Sequence, residues 1–243
     1  MKSLIRKELR TFFSTLMGYV VVCAFLLLTG LFLWVFPGEW NVLDNGQANL
    51  NALFIWAPWV FMFLVPAITM RSFSDEKKYG TLELLVTKPV SELNIILGKY
   101  LASLSLVIIA IIPTLIYYYS IYQLGAPVGN IDTGAMWGSY FGLVLLAACY
   151  TSVGLFCSSL TENQIVALIS SMALCFLFYQ VLGLFGEIQW LNAVGKSLGW
   201  FGLDYHYYSV SRGVIDTRDV LYFLGFSAFF VVSTKLVFQS RKW

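Results

Sequence analysis

Five stretches of this chain, 11–38, 45–70, 100–131, 133–161 and 163–186, contain no charged side chain, and a sixth, 220–240, is interrupted only by Lys235. Crossing the hydrocarbon core of a bilayer takes about 20 apolar residues at 1.5 Å of rise each, about 30 Å in all. Trimmed at glycines, prolines and polar clusters, the runs predict six membrane-spanning helices near 15–36, 53–70, 96–121, 137–159, 165–186 and 220–239. Lys235 lies near enough to the end of its run to snorkel to the headgroups. Composition agrees. Only 12% of the 243 residues are charged and 59% are hydrophobic, whereas soluble domains run near a quarter charged. Mean hydropathy is +0.77. This excludes a soluble enzyme, a nucleic-acid binder, a disordered regulator and a disulfide-stapled secreted domain. Cys23, Cys149, Cys157 and Cys175 all lie inside apolar runs without a C-x-x-C pair, so they read as small packing residues. His206 is the only histidine, which removes a multi-histidine zinc site.

Basic residues set the orientation. Lys2, Arg6, Lys7 and Arg10 precede span one. Arg71, Lys77, Lys78 and Lys88 follow span two, with Lys99 where span three begins, and Lys235, Arg241 and Lys242 sit at the far end. The connections at 37–52 and 122–136 hold none. Both termini are therefore expected in the cytoplasm of a multi-pass protein of the cell inner membrane. Ile5, Leu9, Phe12, Phe13 and Leu16 share one helical face ahead of span one. That pattern fits an interfacial helix on the inner leaflet as well as it fits a simple positive anchor. The apolar run behind it is too long for a cleaved signal and lacks a small-residue cleavage site.

Ionisable groups inside a bilayer cost about 2.5–3.5 kcal/mol at mid-helix and are kept for ion coupling or catalysis. The charge-free runs argue against a proton-driven carrier and an intramembrane metalloprotease. Gly195-Lys196-Ser197 resembles the end of a phosphate-binding loop, but Trp190 stands where its first glycine belongs. Ser74 and Lys77 match S-x-x-K by chance. No cofactor is expected on this chain. Gly138, Gly142, Ala148, Ser152, Gly154 and Ser158 form a small-residue row in span four, expected to pack against neighbouring helices of the same chain. Pro58, Pro66 and Pro113 predict kinks in spans two and three.

The connection Arg71–Ser91 is dense in helix punctuation. Ser72 with Asp75 is placed to cap a short helix, Gly80 breaks it, and Thr81 to Thr87 begins another that Pro89 ends. Ser91 with Glu92 then caps the helix into span three. The expected product is an ordered, charged elbow. The aromatic segment 187–219, carrying Trp190, Trp200, Phe201, Tyr205, Tyr207 and Tyr208, is expected to seat short helices at the outer headgroup level. Lys196, Arg212, Arg218, Asp204, Asp216 and Asp219 are placed there to pair with one another.

Arg71, Glu76-x-x-x-Gly80-Thr81-Leu82-Glu83-Leu84-Leu85, Pro89-Val90-Ser91 and Gly98-Lys99 together resemble the signature of ABC-2-type ABC transporter permeases. Ser211-Arg212-Gly213-Val214-Ile215-Asp216-Thr217-Arg218-Asp219 is similar to the run such permeases carry before their last helix. Within the family the chain looks most like the gliding-motility-associated permease subunits. The resemblance implies one all-α integral membrane domain over 1–243, with six spans, an N-terminal interfacial helix, a cytoplasmic coupling elbow and short outer helices. It implies a subunit that is not catalytic itself. It pairs with a second permease, identical or paralogous, and with a separate ABC ATP-binding subunit that holds ATP and magnesium. Membrane lipid and an accessory extracytoplasmic subunit complete the partners, and nucleic acid is not among them. Glu76, Gly80, Thr81, Glu83 and Pro89 are the implied coupling residues, the glutamates as charged contacts and Gly80 and Pro89 as breaks. Arg212, Gly213, Asp216, Arg218 and Asp219 form the outer motif. Two other readings compete. One is a non-transporting scaffold for a motility or secretion apparatus. The other is a lipid-modifying enzyme using His206 with Asp204.

Overall fold

The computed structural model describes residues 2–81, 91–187 and 192–240, and every regular element among them is helical. Twelve α-helices follow in chain order among these residues. They are α1 (Lys2–Phe13), α2 (Leu16–Gly30), α3 (Asn51–Thr69), α4 (Arg71–Lys78), α5 (Glu92–Ile111) and α6 (Leu115–Leu124), then α7 (Thr133–Leu160), α8 (Gln164–Phe176), α9 (Leu182–Glu187), α10 (Asn192–Trp200), α11 (Leu203–Val210) and α12 (Thr217–Gln239). Among the described residues, six stretches are long and apolar enough to cross a membrane: Gly18–Val35, Asn51–Lys78, Glu92–Leu124, Thr133–Leu160, Gln164–Gly186 and Thr217–Gln239. The charge-free runs coincide with these six helical stretches, and span two continues as helix through α4.

Local chemistry explains where the helices begin. Asp132 accepts from the Ala135 amide at 3.0 Å, Asn163 from Ile165 at 2.9 Å and Asp216 from Arg218 at 2.9 Å. Each supplies a side-chain acceptor for an amide that has no intrahelical partner. Ser91 does the same for Asn94 at 3.4 Å, as its position predicts. Ser72, by contrast, lies inside α4 and caps nothing, because the helix starts at Arg71 directly behind Met70. Gly80 does end α4, with φ +67°, a left-handed geometry that glycine adopts without steric penalty. Pro113 turns the backbone into a short 3₁₀ segment, Ile112–Thr114, between α5 and α6. Pro58 and Pro66 are accommodated within the continuous α3.

Helix α7 is the axis of the bundle. It packs against α3, α4, α5, α8, α11 and α12, and 83% of its apolar window is buried. Tyr150, Leu143 and Leu146 are fully enclosed on it, beside Phe61 and Leu53 of α3 and Phe223 of α12. The small-residue row packs within the chain, as expected. A side chain at Gly138 would meet the Gly213 carbonyl at 2.7 Å, one at Gly142 would meet Val210 at 2.5 Å, and one at Gly154 would strike Thr69. Spans one, five and six each turn one face to this core and are otherwise exposed, only 28%, 22% and 22% buried. Their exposed apolar residues, such as Leu27, Ile169 and Phe229, suit a lipid-facing surface.

Replacing Gly142 by leucine is expected to destabilise the protein by about 1–3 kcal/mol through overpacking against Val210. Gly183→Ala should be nearly neutral, since nothing lies within 4 Å of its added carbon. Thermal unfolding of the two variants in detergent checks the pair.

Candidate functional site

At the end of the bundle that carries Arg6, Lys7, Arg10, Arg71 and Lys78 on its surface, called here the basic end, three elements meet around one lysine. Lys99 sits one turn into the apolar part of α5, and its side chain is 1% exposed. Its ammonium donates to Glu76 Oε1 at 2.8 Å, to the Ser72 carbonyl at 2.7 Å and to Glu8 Oε1 at 3.2 Å. An ammonium has three N–H donors and all three are used. The Phe73 ring lies beneath it, with its centroid 5.1 Å from Nζ. The sequence places Lys99 with the surface charges that set orientation. The structure corrects this: it is a buried centre joining α1, α4 and α5.

Helix α1 reaches this lysine because Gly98 lets it approach. A side chain on Gly98 would meet Leu4 Cδ2 at 2.6 Å. Leu9, Phe12 and Phe13 pack onto the core while Arg6, Lys7 and Arg10 face outward. The amphipathic face of α1 is therefore docked on the spans, and its basic face remains accessible.

The opposite side of α4 is fastened equally closely. Ser158 of α7 accepts from the Phe73 and Ser74 amides at 3.0 and 3.2 Å and donates to the Met70 carbonyl at 2.9 Å. Gln164 accepts from Arg71 Nε at 3.3 Å and donates to Asp75, and Lys77 donates to the Ser159 carbonyl. Ser74 is buried in this contact. The S-x-x-K pair is structural, with the serine hydroxyl bonded to the Met70 carbonyl. Helix α4 is thus held on two flanks.

The implied coupling residues fall unevenly on this frame. Glu76 is turned inward onto Lys99, with a side chain 13% exposed, so it is not presented outward. Gly80 and Thr81 are exposed, and Thr81 Oγ donates to the Glu76 carbonyl at 3.3 Å, closing the end of α4. Glu83 and Pro89 lie outside the described residues. Tyr79, 70% exposed beside Lys78, projects from the same tip. Sequence reasoning passed over it, as it passed over Glu8. An exposed aromatic ring next to a glycine break was the available signal for Tyr79.

A family model described as ABC-2 family transporter protein matches residues 41–203, well over half of the chain. The chain belongs to the ABC-2 transporter family. It is a membrane-embedded transporter component, and membership implies an ATP-binding partner subunit. No curated protein matches it. The matched stretch includes the elbow and Lys99, while Glu8 and the Arg212–Asp219 motif lie outside it.

At the other end of this ABC-2 protein, α10 and α11 form the short helices expected before the last span. Trp200, Phe201, Tyr205 and Tyr208 are exposed there, and Tyr207 is buried with its hydroxyl donating to the Phe54 carbonyl at 2.9 Å. Burial first, then neighbouring Tyr179 and Asp204, pushes the Tyr207 phenol well above its ordinary pKa. It stays a donor. His206 meets Asp219, not Asp204: Nδ1 lies 2.7 Å from Asp219 Oδ1, and Nε2 lies 2.9 Å from the Trp200 carbonyl. Ser209 donates to the second Asp219 oxygen at 2.7 Å. Both imidazole nitrogens are occupied and the serine points at the carboxylate, so no base faces a nucleophile. The geometry does not support the enzyme reading. Asp219 takes the histidine, Arg212 lies over the Tyr208 ring at 4.3 Å, and Asp216 is a helix cap. Gly213, with φ +83°, passes against Ala135 at the start of α7. The motif is a joint between α7, α11 and α12.

Lys99→Met is expected to cost about 3–5 kcal/mol, because it strands buried carboxylates. Adding Glu8→Leu and Glu76→Met should recover most of that loss, since an apolar replacement of all members leaves no unpaired charge. Equilibrium unfolding of the single and triple variants measures both. Asp219→Leu should lower thermal stability and loosen α11, read as faster proteolysis within 203–210. Asp204→Ala should leave His206 in place.

Proposed function

We propose that the chain is the permease subunit of an ATP-driven exporter, and that the tip of α4 receives the conformational signal of a separate ATP-binding subunit. The observation that carries this reading is the two-sided fastening of α4, to Ser158, Ser159 and Gln164 on one flank and to Lys99 on the other. A soluble partner needs a rigid lever to move spans, and this segment between two spans is bonded to α5, α7 and α8 and, through Lys99, linked to α1. In this reading Tyr79, Gly80 and Thr81 form the contact tip together with Glu83, while Glu76 acts behind them through Lys99. The basic residues at this end support a cytoplasmic side for it and for both termini, in the cell inner membrane. The assembly contains two permease chains and two ATP-binding subunits with their magnesium. The resemblance to gliding-motility-associated permeases supports a role in a motility apparatus, with an accessory extracytoplasmic subunit docked at the aromatic end.

Co-expression with the ATP-binding subunit tests the assignment. Tyr79→Ala and Glu83→Lys should each reduce co-purification of that subunit and its ATPase stimulation, while membrane insertion stays normal. Full co-purification and ATPase stimulation in both variants would remove the elbow from the interface.

A further inference from the structure

Where span two passes into α4, one hydroxyl from another helix stands within a helical turn. Helix α3 ends at Thr69 and α4 starts at Arg71, and Met70 between them keeps helical geometry, with φ −54° and ψ −33°. In an uninterrupted helix the amides of Phe73 and Ser74 bond the Thr69 and Met70 carbonyls. Here both donate to Ser158 Oγ of α7, at 3.0 and 3.2 Å, and the Ser158 hydroxyl donates in turn to the Met70 carbonyl at 2.9 Å. A side chain inserted into the ladder in this way is one of the few causes of helix bending.

Ser158 departs from its neighbours on α7. Thr151, Ser152 and Ser159 donate back to the carbonyls of Ala147, Cys149 and Phe156, each at 2.7 Å. That is the ordinary resting place of a hydroxyl within a helix, and for Ser158 the equivalent acceptor is the Gly154 carbonyl. Three bonds can therefore be exchanged for three. With Phe73 and Ser74 returned to Thr69 and Met70, and Ser158 returned to Gly154, no buried donor is left without an acceptor. That equality allows the two arrangements to lie close in free energy. Because Met70 is already helical, the exchange needs a small rotation of α4 and no refolding. Pro66 makes such a rotation cheap. It has no amide, so the turn before the junction is one backbone bond short.

We propose that Ser158 is a releasable pin. With its three bonds made, α4 moves with the central helix α7; with them returned to the two helices, α4 moves with span two. The structure holds the pinned state. Phe73 keeps α4 seated in both states, its ring 4.8 Å from that of Phe238 on α12. The other bonds from α4 toward α7 and α8, Lys77 to the Ser159 carbonyl and Asp75 to Gln164, run through long side chains that follow a small rotation. The two states belong to the chain itself. Their use in coupling rests on the function proposed above, in which the pin decides which span receives a displacement of the α4 tip.

The test uses the full chain in lipid nanodiscs, in a Cys23→Ser background, with spin labels on Lys78→Cys at the end of α4 and Thr133→Cys at the far end of α7, both exposed positions. Pulsed dipolar spectroscopy reads the distance between them, and hydrogen exchange is followed in the peptide carrying Phe73 and Ser74. Ser158→Ala should move the main distance to one that is minor in the native chain, while exchange stays within about threefold of native, since both amides find acceptors in their own helix. A hydroxyl that serves only as a fixed clamp predicts the reverse: an unchanged distance, with exchange about tenfold faster or more from the stranded amides. Ser74→Ala, which removes the other hydroxyl on the Met70 carbonyl, should leave the native distance in place. An unchanged distance in Ser158→Ala, exchange about tenfold faster in that variant, or an equal shift in Ser74→Ala would each overturn the proposal.

Discussion

A lysine buried in the membrane-proximal part of a helix is tolerable only if its charge is neutralised and its three donors are filled. Lys99 meets both conditions by drawing together a carboxylate from α1, a carboxylate from α4 and the Ser72 carbonyl. Taking such a group out of water costs several kcal/mol per ion, and only good geometry returns it. The arrangement therefore restricts where α1 and α4 can sit, more than it adds net stability. Apolar packing of Leu4 against Gly98 and of Phe73 beneath the ammonium holds the geometry in place.

From this constraint the layout of the basic end follows. With α1 fixed on α5, its basic face is left outward, where headgroups and soluble partners can meet it. With α4 fixed on both flanks, span two extends rigidly past the apolar part of the bundle and ends at Gly80. The contrast with the aromatic end is informative. There the joint is His206–Asp219 and the Gly138–Gly213 crossing, which bind α11 and the last span to the central helix. Each end of α7 thus carries a polar fastening, and the span between is packed by small residues and aromatic rings. The bundle is closely packed along this axis, and spans one, five and six leave much of their outer surface exposed around it.

The spans were legible in the sequence because charge-free length is a one-dimensional property, and the helix starts at Ser91, Asp132, Asn163 and Asp216 were legible because capping is local. The buried centre was not. Its members are 91 and 23 residues from Lys99, and a lysine near the start of a span reads like any interfacial charge until its neighbours are known. The histidine offered a clearer clue. Asp204 and His206 are two apart on one helix, where side chains do not face each other, so the partner had to come from elsewhere. The family signature falls in part on α4 and on the glycine that ends it. It did not reveal that Glu76 turns inward, because a motif reports which residues occur and not which way they face.

The claim on which this account rests is that Glu8 and Glu76 act through one shared lysine, so that α1 and α4 behave as a unit. A double-mutant cycle on unfolding free energy, using Glu8→Gln, Glu76→Gln and the pair, tests it most directly. Residues in one ionic network show coupling of about 0.5–3 kcal/mol, whereas independent sites add within about 0.3–0.5 kcal/mol. The account predicts coupling of about 1 kcal/mol or more, and additive losses would contradict it.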